Sequence, residues 1–406
     1  MTVAVVGGGP AGMMAAAEAA RRGCRTVLLE QNEKLGKKLY LTGKGRCNVT
    51  NACAREGFFE AVPRNPRFLY SAFAAFDNRD MMALLEGLGV PLKVERGGRV
   101  FPASDKSSDV LRAVERYVRE SGAEVRLHTR VTGIAVSGGA VRAVRTEAGE
   151  LPCEAVVLAT GGCSYPQTGS TGDGYRFAAA CGHTVEPPRG VLTPLVTREA
   201  WPAALAGLTL KNVVLSAARG GRTLHRSEPG ELLFTHFGLS GPTILSASAH
   251  MRHMASGRYT VTLDLKPALT PEQLDQRLLR DLEKNKNRNF SNSLDELLPQ
   301  KMIPVVVRRS GIPPEEKCNT ITREQRAVLL DVLKHFTVEI SGFAPLSGAI
   351  VTAGGVSVKE VDPKTMQSKL IQGLYFAGEI LDVDAYTGGF NLQIAFATGH
   401  AAGENL

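Results

Sequence analysis

Apolar positions near the N-terminus form two short runs, separated by a glycine-rich turn and an alanine-rich stretch. In order, these segments are Thr2–Val6, residues 7–12 (Gly-Gly-Gly-Pro-Ala-Gly), Met13–Arg22 and Thr26–Glu30. Short apolar runs on either side of a helical stretch are typical of parallel strands joined by a helix. The pattern therefore predicts a strand–helix–strand unit at the start of the chain.

Predicted strands and helices continue to alternate up to about residue 188. Helical spacing marks Asp77–Leu88, Asp105–Glu120 and Asp173–Cys181, and Ser104 is the predicted N-cap of the second of these helices. The predicted strands are Val125–Val136, Ala140–Thr146 and Ala155–Ala159. Gly138 and Gly139 predict a tight hairpin between the first two.

The pattern changes between about residues 189 and 345. Proline and glycine recur, and short alternating runs predict strands at Val213–Ala217, Glu231–Phe234 and Tyr259–Leu265. Thr270–Arg326 is polar with helical spacing, and Thr270-Pro271-Glu272 is a favourable helix start. After this region the glycine-rich style returns, with a predicted strand at Gly373–Ala377 and a predicted helix at Asn391–Gly403.

These patterns predict an α/β fold in which a Rossmann-like domain is interrupted by an insert. The Rossmann-like domain comprises residues 1–188 and 346–406. The insert has a β-rich, barrel-like part, residues 189–268 and 327–345, and a small helical part, residues 269–326. We detect no internal repeat of fixed period.

Composition adds several exclusions. The chain has 406 residues, of which 43% are hydrophobic and 22% charged, as in ordinary globular proteins. No apolar run is as long as a membrane span, and the N-terminus lacks the basic region of a signal peptide. Seven scattered cysteines are typical of a reducing compartment, so a cytoplasmic location is expected. Neither C-x-x-C nor H-E-x-x-H occurs, and no metal site is predicted.

The net charge of +8 is concentrated in the middle of the chain. Residues 189–345 hold 21 Lys and Arg against 15 Asp and Glu. This excess indicates either a solvated basic face or a site for an anionic partner, and Lys284–Arg288 is its densest cluster.

The first turn carries a dinucleotide-binding motif. Gly7-x-Gly9-x-x-Gly12 directly follows a predicted strand and opens a predicted helix. In such turns the glycines permit a tight bend and a close approach of the backbone to a pyrophosphate, which meets the helix N-terminus. Glu30, at the end of the next strand, can bind ribose hydroxyls and would repel a 2′-phosphate. The motif therefore predicts FAD or NAD rather than NADP.

Two further motifs favour FAD. Gly373–Glu379 resembles the second flavin-binding motif of two-dinucleotide-fold flavoproteins, in which a strand leads into Gly-Asp; here the acid is Glu379. Val156–Gly162 is similar to the Ala-Thr-Gly motif of the same superfamily. The predicted helix that begins at Asn391 would direct its positive end at the flavin.

Longer blocks resemble one family, the BaiN/YhiN-like FAD-dependent oxidoreductases, which include aminoacetone oxidase-type enzymes. The blocks are Thr42–Asn51, Phe234–Pro242, Gly378–Asp382 and Thr387–Gln393. The resemblance covers essentially the whole chain. It implies an FAD-binding Rossmann-like domain, formed by residues 1–188 and 346–406, with an inserted β-barrel and a small helical domain.

The motifs and the resemblance together predict a set of FAD-binding residues. They are Gly7, Gly9, Pro10, Ala11, Gly12, Glu30, Gln31, Lys38, Thr42, Gly43, Arg46, Asn48, Val131, Thr160, Gly161, Gly378, Glu379, Asn391 and Leu392. For Arg46 a surface salt bridge is the open alternative.

Two residues are candidates for proton donation to a substrate. His236 lies in a Gly/Ser-rich loop of the insert, and Tyr386 lies next to the helix that would face the flavin. Both also have a purely structural interpretation. Cys47 and Cys53 invite comparison with disulfide reductases, but their spacing is C-x5-C instead of C-x4-C and the chain contains no His-Pro.

The sequence thus predicts an enzyme, an FAD-dependent oxidoreductase that transfers hydride through flavin N5 to or from a small organic substrate. Enone reduction and amine oxidation are both open. If NAD(P)H reduces the flavin, it must dock transiently, because only one dinucleotide motif is present. The alternative is an FAD-bearing RNA-binding or RNA-modifying protein. Nucleic acid and membrane are not the expected partners.

Overall fold

The computed structural model describes residues 1–251, 258–345 and 349–406. These residues form two compact units, one of Met1–Val191 with Pro345–Leu406 and one of Leu192–Ala344. The predicted restart of the outer domain at residue 346 lies outside the described residues. The separation of residues 269–326 as a domain of their own stays a prediction.

The first segment of the outer unit alternates helices and strands. Its strands are β1 (Thr2–Val6), β2 (Arg25–Leu29), β3 (Thr50–Asn51), β4 (Leu92–Glu95), β5 (Arg99–Pro102), β6 (Glu124–Arg126), β7 (Val131–Ser137), β8 (Ala140–Thr146), β9 (Gly149–Pro152), β10 (Ala155–Leu158) and β11 (Val185–Val191). Its helices are α1 (Pro10–Arg21), α2 (Lys37–Gly45), α3 (Arg55–Glu60), α4 (Tyr70–Ala75), α5 (Asn78–Gly87), α6 (Ser107–Glu120) and α7 (Asp173–Ala180).

The second unit and the C-terminal segment supply the remaining elements. The second unit contains β12 (Leu195–Thr197), β13 (Thr209–Arg219), β14 (Arg222–Arg226), β15 (Gly230–Thr235), β16 (Gly238–Ser240), β17 (Tyr259–Asp264), β18 (Phe336–Phe343), α8 (Trp201–Ala204), α9 (Pro242–Ser248), α10 (Pro271–Lys284), α11 (Ile303–Ser310) and α12 (Arg323–Lys334). The C-terminal segment contains β19 (Val351–Val356), β20 (Leu374–Phe376) and α13 (Phe390–Glu404).

A five-stranded parallel sheet organises the outer unit. Its strand order is β20-β10-β1-β2-β6, and in the register Val5 lies between Leu28 and Val157. Residues Val3–Val6 are buried on both faces of the sheet, which explains why β1 is a continuous apolar run. The sheet confirms the predicted Rossmann-like α/β fold. No helix in the described ranges is both long and apolar enough to cross a lipid bilayer.

Two local predictions in this unit are wrong. The run Val125–Val136 is not one strand: β6 ends in the parallel sheet and β7 starts a separate antiparallel sheet, β7-β8-β9. A turn through His128, which has a φ of +50°, separates the two strands. The alternation of apolar residues therefore continues across a turn that interrupts the strand. Ser104 does not cap α6, because Lys106 occupies that position and the Ser104 hydroxyl donates to Asp109 Oδ2 at 2.5 Å.

The strands of the second unit close into the predicted barrel. The ring runs β13-β15-β16-β12-β18-β17 and returns to β13, and β14 adds to the outside of β13 as a hairpin. Alternate residues such as Leu215, Val261 and Val338 fill its interior. Leucines of α10 and α12 join the same core, so barrel and helices share one hydrophobic cluster.

Candidate functional site

The turn between β1 and α1 is held tight by close backbone packing. Gly7 has a φ of +104°, and a Cβ there would lie 2.6 Å from Ala159 O. A Cβ on Gly12 would lie 1.9 Å from Gly7 O. At Gly9, by contrast, a Cβ would meet no atom within 4 Å, and no side chain caps the first turn of α1. The backbone at Gly9 and at the start of α1 therefore borders open space, as a pyrophosphate site requires.

Glu30 is joined to this turn. Its side chain is 8% exposed, and its Oε2 accepts a hydrogen bond from the Gly8 N–H at 2.7 Å. Its Oε1 accepts from the backbone N–H and the side-chain amide of Asn32, at 2.8 and 2.7 Å. Gln31 donates to Gly169 O at 2.8 Å. The acid at the end of β2 is thus fixed beside the glycine turn.

Val131 lies close to the same strand end. It begins β7, and two residues before it the Thr129 N–H donates to Glu30 O at 2.9 Å. A backbone role of Val131 toward adenine stays a prediction.

A charged cluster joins four separate segments of the outer unit. Lys38 Nζ is 2.6 Å from Glu379 Oε2 and donates to Ser164 Oγ at 2.7 Å. Glu379 Oε1 accepts from the Thr352 N–H at 2.8 Å and lies 3.2 Å from Ser164 Oγ. The sequence predicted Lys38 and Glu379 but missed Ser164 and Thr352, which belong to no recognised motif.

Two predicted residues have buried polar atoms without a partner. Within the described part of the chain, Asn48 Oδ1 and Thr160 Oγ1 form no hydrogen bond. Burying such an atom unpaired costs about 1–3 kcal/mol, which a polar ligand would offset. Gly161, next to Thr160, has a φ of +73°, and a Cβ there would lie 3.1 Å from Ser170 Oγ. Together with the open space at Gly9, these atoms fit a bound FAD.

The Thr42–Asn48 loop interrupts α2. Thr42 and Gly43 leave the helical region, and a Cβ on Gly43 would lie 2.9 Å from the Asn48 N. Arg46 forms ion pairs with Glu95 and, at 2.6 Å, with Asp105. The structure therefore shows the salt-bridge alternative for Arg46, and its role toward FAD stays a prediction.

The N-terminus of α13 is fixed to this loop region. A Cβ on its capping residue Gly389 would lie 2.3 Å from Thr50 O. Asn391 accepts from the Ala385 N–H at 3.0 Å, and its amide donates to Ala385 O at 2.7 Å and Tyr386 O at 3.3 Å. Asn391 thus orients the backbone of Tyr386.

Tyr386 and Leu392 pack against the main core of the outer unit. Burial and, to a smaller extent, the Asp384 carboxylate raise the pKa of the Tyr386 phenol. The phenol therefore stays protonated at neutral pH and can donate a hydrogen bond.

Helix α13 also packs closely on α1. A Cβ on Gly399 would lie 2.3 Å from Ala11 O, and a Cβ on Gly378 would lie 2.8 Å from Ala11 Cβ. The Gly378 N–H donates to Thr398 Oγ1 at 2.9 Å. Pro10 is the first residue of α1, where its missing N–H costs nothing. The two predicted FAD motifs, at residues 7–12 and 378–379, therefore lie side by side.

The structure adds an anchor that the sequence did not single out. Asp382, 3% exposed, forms a bidentate pair with Arg64, and Nη2 of Arg64 is 2.5 Å from Asp382 Oδ2. Asn65 donates to Asp382 O at 2.7 Å. The only sequence signal was the position of Asp382 at the end of the Gly378–Asp382 block.

The remaining candidates are His236, in the second unit, and the cysteines Cys47 and Cys53, in the outer unit. His236 is exposed in the turn between β15 and β16 of the second unit, with its ring 4.9 Å from that of Phe237. Its catalytic role stays a prediction. All seven cysteines are free thiols. Burial raises the pKa of Cys47 to about 12 and also raises that of Cys53, which disfavours the thiolate that a redox dithiol needs.

Comparison with known proteins identifies the family. The model of the HI0933-like protein Rossmann domain matches residues 1–405. The 3-dehydro-bile acid delta(4,6)-reductase of Clostridium scindens is 32% identical, over 99% of this chain and 98% of that protein. The ribosomal RNA dihydrouridine synthase of Haemophilus influenzae is 30% identical, over 98% and 96%.

Among solved structures, Escherichia coli quinol fumarate reductase FrdA matches with a TM-score of 0.52 and 17% identity, over 100% of this chain and 69% of that one. At this identity the match shows the fold alone. The predicted family and fold class are confirmed. The predicted enzyme class, a flavin-dependent oxidoreductase, is confirmed by the family match and the reductase relative. The chain belongs to the family of the HI0933-like protein Rossmann domain.

Proposed function

We propose that this enzyme uses FAD to reduce a carbon–carbon double bond that is conjugated to a carbonyl group. The observation that carries the proposal is the open face of the Gly9 turn beside the buried Glu30 carboxylate, which fits the diphosphate and ribose of FAD. The Lys38–Glu379 cluster and the unpaired atoms of Asn48 and Thr160 support a polar cofactor in the same unit.

The names of the two relatives support the substrate class. A 3-dehydro bile acid with double bonds at positions 4 and 6 is a conjugated dienone, and dihydrouridine is uridine whose ring double bond next to a carbonyl has been saturated. Both reactions add two electrons and two protons across a polarised double bond. The predicted alternative of amine oxidation has no comparable support.

Bound FAD would be held by the Gly9 turn, Glu30 and the Lys38–Glu379 cluster, and it would supply the two-electron hydride chemistry, with NAD(P)H as the proposed reductant. The chain must supply the proton and hold the carbonyl. Tyr386 is the candidate for this role, since a tyrosine phenol is protonated at neutral pH and Asn391 fixes the backbone of Tyr386. Its raised pKa makes the phenol a weaker acid, which favours holding the carbonyl by a hydrogen bond. His236 remains the second candidate donor.

A second candidate substrate, the uracil ring of RNA, is favoured by the charge of the second unit. Residues 192–344 contain 20 Lys and Arg against 15 Asp and Glu. The same conjugated-bond chemistry applies to uracil, and the Haemophilus relative acts on ribosomal RNA by its name.

We also propose that the protein is cytoplasmic. The seven free thiols support this location, because a reducing compartment keeps cysteines unpaired.

Anaerobic titration tests the reaction. NADH or NADPH is added to the purified protein until the flavin absorbance is bleached, and then cyclohexenone, a 3-keto-4-ene steroid, uridine, a uridine-containing RNA or an amine is added. We expect a conjugated substrate to restore the absorbance and to gain two hydrogen atoms by mass spectrometry. Restoration by dioxygen alone, with amines as the only electron donors, contradicts the proposal.

Tyr386→Phe sharpens the mechanism. We expect kcat for the conjugated substrate to fall about 10²–10⁴-fold, the usual contribution of a general acid, because phenylalanine packs alike but carries no proton. Bleaching by NAD(P)H and FAD content serve as controls and remain unchanged. Unaltered turnover would assign proton donation to another group, with His236→Gln as the next variant.

A further inference from the structure

Two groups of basic residues in the second unit differ in their partners. The densest cluster in the sequence, Lys284–Arg288, is neutralised: each of its charged side chains lies beside a carboxylate. The pairs are Lys284–Glu296 at 2.6 Å, Lys286–Glu283 at 3.2 Å and Arg288–Asp295 at 3.6 Å. This cluster therefore presents little uncompensated charge to a partner.

The second group is the set Arg219, Arg222 and Arg258, which we call the arginine cleft. With Gly220 and Leu224 these residues line one cleft of ≈ 550 Å³. The backbone brings them together. Arg219 lies directly opposite Arg222 across the tight glycine turn between β13 and β14, and opposite the neighbour of Arg258, Tyr259, on β17.

In the part of the chain that the structure describes, no carboxylate forms an ion pair with the arginine cleft. Among the described residues, none of the three guanidinium groups has a carboxylate oxygen within 4.0 Å, and residues 252–257 and 346–348 contain no Asp or Glu. From residue 209 to 226, β13 and β14 carry four basic residues and no acidic one. Like charges directly opposite each other destabilise an antiparallel pair, so an anion bound here would relieve an existing repulsion.

We propose that the arginine cleft binds the phosphate backbone of single-stranded RNA. The proposal rests on the second candidate substrate above and locates where its chain would be held. Guanidinium groups match phosphate geometry in a bidentate manner, and three of them suit successive phosphates. No aromatic residue is among the described residues that line the cleft, so they offer no stacking platform for bases. The cleft therefore positions RNA without selecting its sequence.

A membrane surface fits this cleft less well than RNA does. Peripheral membrane sites pair basic residues with exposed apolar or aromatic side chains that enter the lipid. Among the described residues that line the arginine cleft, Leu224 is the one apolar side chain, and it is half-buried.

Fluorescence anisotropy with the full-length, FAD-loaded protein and a labelled single-stranded RNA tests the arginine cleft. For three phosphate contacts, at about 0.7 counterions released per contact, log affinity should fall against log salt with a slope of about −2. The triple variant Arg219→Gln/Arg222→Gln/Arg258→Gln should bind at least about tenfold more weakly near 0.1 M salt and lose most of this slope.

The matched control removes the same three charges elsewhere. Lys284→Gln/Lys286→Gln/Arg288→Gln should keep its RNA affinity within about twofold, because those side chains are already paired. Equal weakening in both triple variants would reduce the effect to net charge and overturn the proposal, as would unchanged binding in the arginine variant. If Arg219→Gln impairs folding, the double variant Arg222→Gln/Arg258→Gln, at two exposed positions, replaces the triple variant. It should lower the slope of log RNA affinity against log salt by about 1 or more.

Two further measurements separate this proposal from the proposed function. The arginine variant should reduce cyclohexenone as the unaltered protein does, since the arginine cleft lies outside the proposed FAD-binding residues. If the unaltered protein reduces no conjugated substrate but the arginines still govern RNA affinity, the proposed function fails and the RNA site stands. If the arginines govern binding to phosphatidylglycerol vesicles and not to RNA, the RNA assignment is wrong.

Discussion

The glycine turn of the outer unit and the arginine cleft of the second unit are two physically different ways of meeting a phosphate. In the turn, backbone amides and a helix N-terminus border open space, and the contacts of Gly7 and Gly12 leave no room for side chains. In the cleft, long cationic side chains extend from a strand end and its hairpin. The backbone of the glycine turn is held in place by packing before a ligand binds. In the arginine cleft, by contrast, binding of a phosphate would have to order long side chains.

This difference has consequences for specificity and for salt. A preorganised backbone turn recognises one geometry and involves few mobile counterions, so it suits a tightly held cofactor. Exposed guanidinium groups release counterions and tolerate any sequence of phosphates, so they suit a long, transient polyanion. The following predictions test the contrast between a rigid cofactor turn and a flexible electrostatic cleft.

Gly9→Val should have the largest effect. A Cβ at Gly9 meets no protein atom within 4 Å, so the fold should tolerate the valine while its methyl groups occupy the pyrophosphate position. We expect FAD content after purification to fall from stoichiometric to near zero, with the thermal unfolding midpoint of the apoprotein unchanged. Gly87→Val is the control, since Gly87 also has open space but lies outside the predicted site. A Gly9→Val protein with full FAD would refute the placement of the phosphates.

The reactivity of Cys47 tests whether the Thr42–Asn48 loop excludes solvent from this buried thiol. With a pKa of about 12, instead of 9.0, the thiolate fraction at pH 8 is lower by about a thousandfold. We expect iodoacetamide to leave Cys47 unlabelled in the folded protein and to label it in urea, as measured by peptide mass spectrometry. The same burial argues against a redox dithiol, so Cys53→Ser should leave flavin reduction and reoxidation unchanged.

Salt separates the two sites directly. Between 0.05 and 0.2 M salt we expect RNA affinity to fall about 16-fold, as a slope near −2 requires, and FAD affinity to change less than about twofold. Anisotropy and flavin fluorescence give the two values on one preparation. A strong salt dependence of FAD retention would show that the cofactor is held mainly by exposed charges, and the contrast would disappear.

Lys38→Met and Arg46→Gln form a matched pair with the smallest effects. Lys38 is the cationic partner of Glu379 in the four-segment cluster, whereas Arg46 is paired at the surface with Glu95 and Asp105. We expect FAD binding to weaken about tenfold for Lys38→Met, equivalent to 1.4 kcal/mol, and about twofold or less for Arg46→Gln. Isothermal titration of the apoproteins measures both. A larger loss of FAD affinity in Arg46→Gln than in Lys38→Met would indicate that Arg46 contacts the flavin cofactor.

The sequence predicted best where a structural property belongs to one residue type. Gly7 and Gly12 are required because any Cβ would collide with backbone, and a strand ending in Glu30 next to such a turn has a recognisable order. The closed barrel was also foreseeable from its alternating runs. The prediction failed at Val125–Val136, because alternation of apolar residues does not reveal a turn such as the one at His128.

By itself, then, the sequence determined the glycine turn, the Rossmann-like sheet and the resemblance to a flavoprotein family, since these depend on local backbone conformation and on order along the chain. Tertiary structure decided which charges have partners. Lys38 meets Glu379 across 341 positions, together with Ser164 and Thr352, and no local pattern encodes that contact. It also placed a carboxylate beside each charged side chain of Lys284–Arg288 and, among the described residues, none within 4.0 Å of the arginine cleft. An ion pair depends on distance in space rather than on separation in sequence.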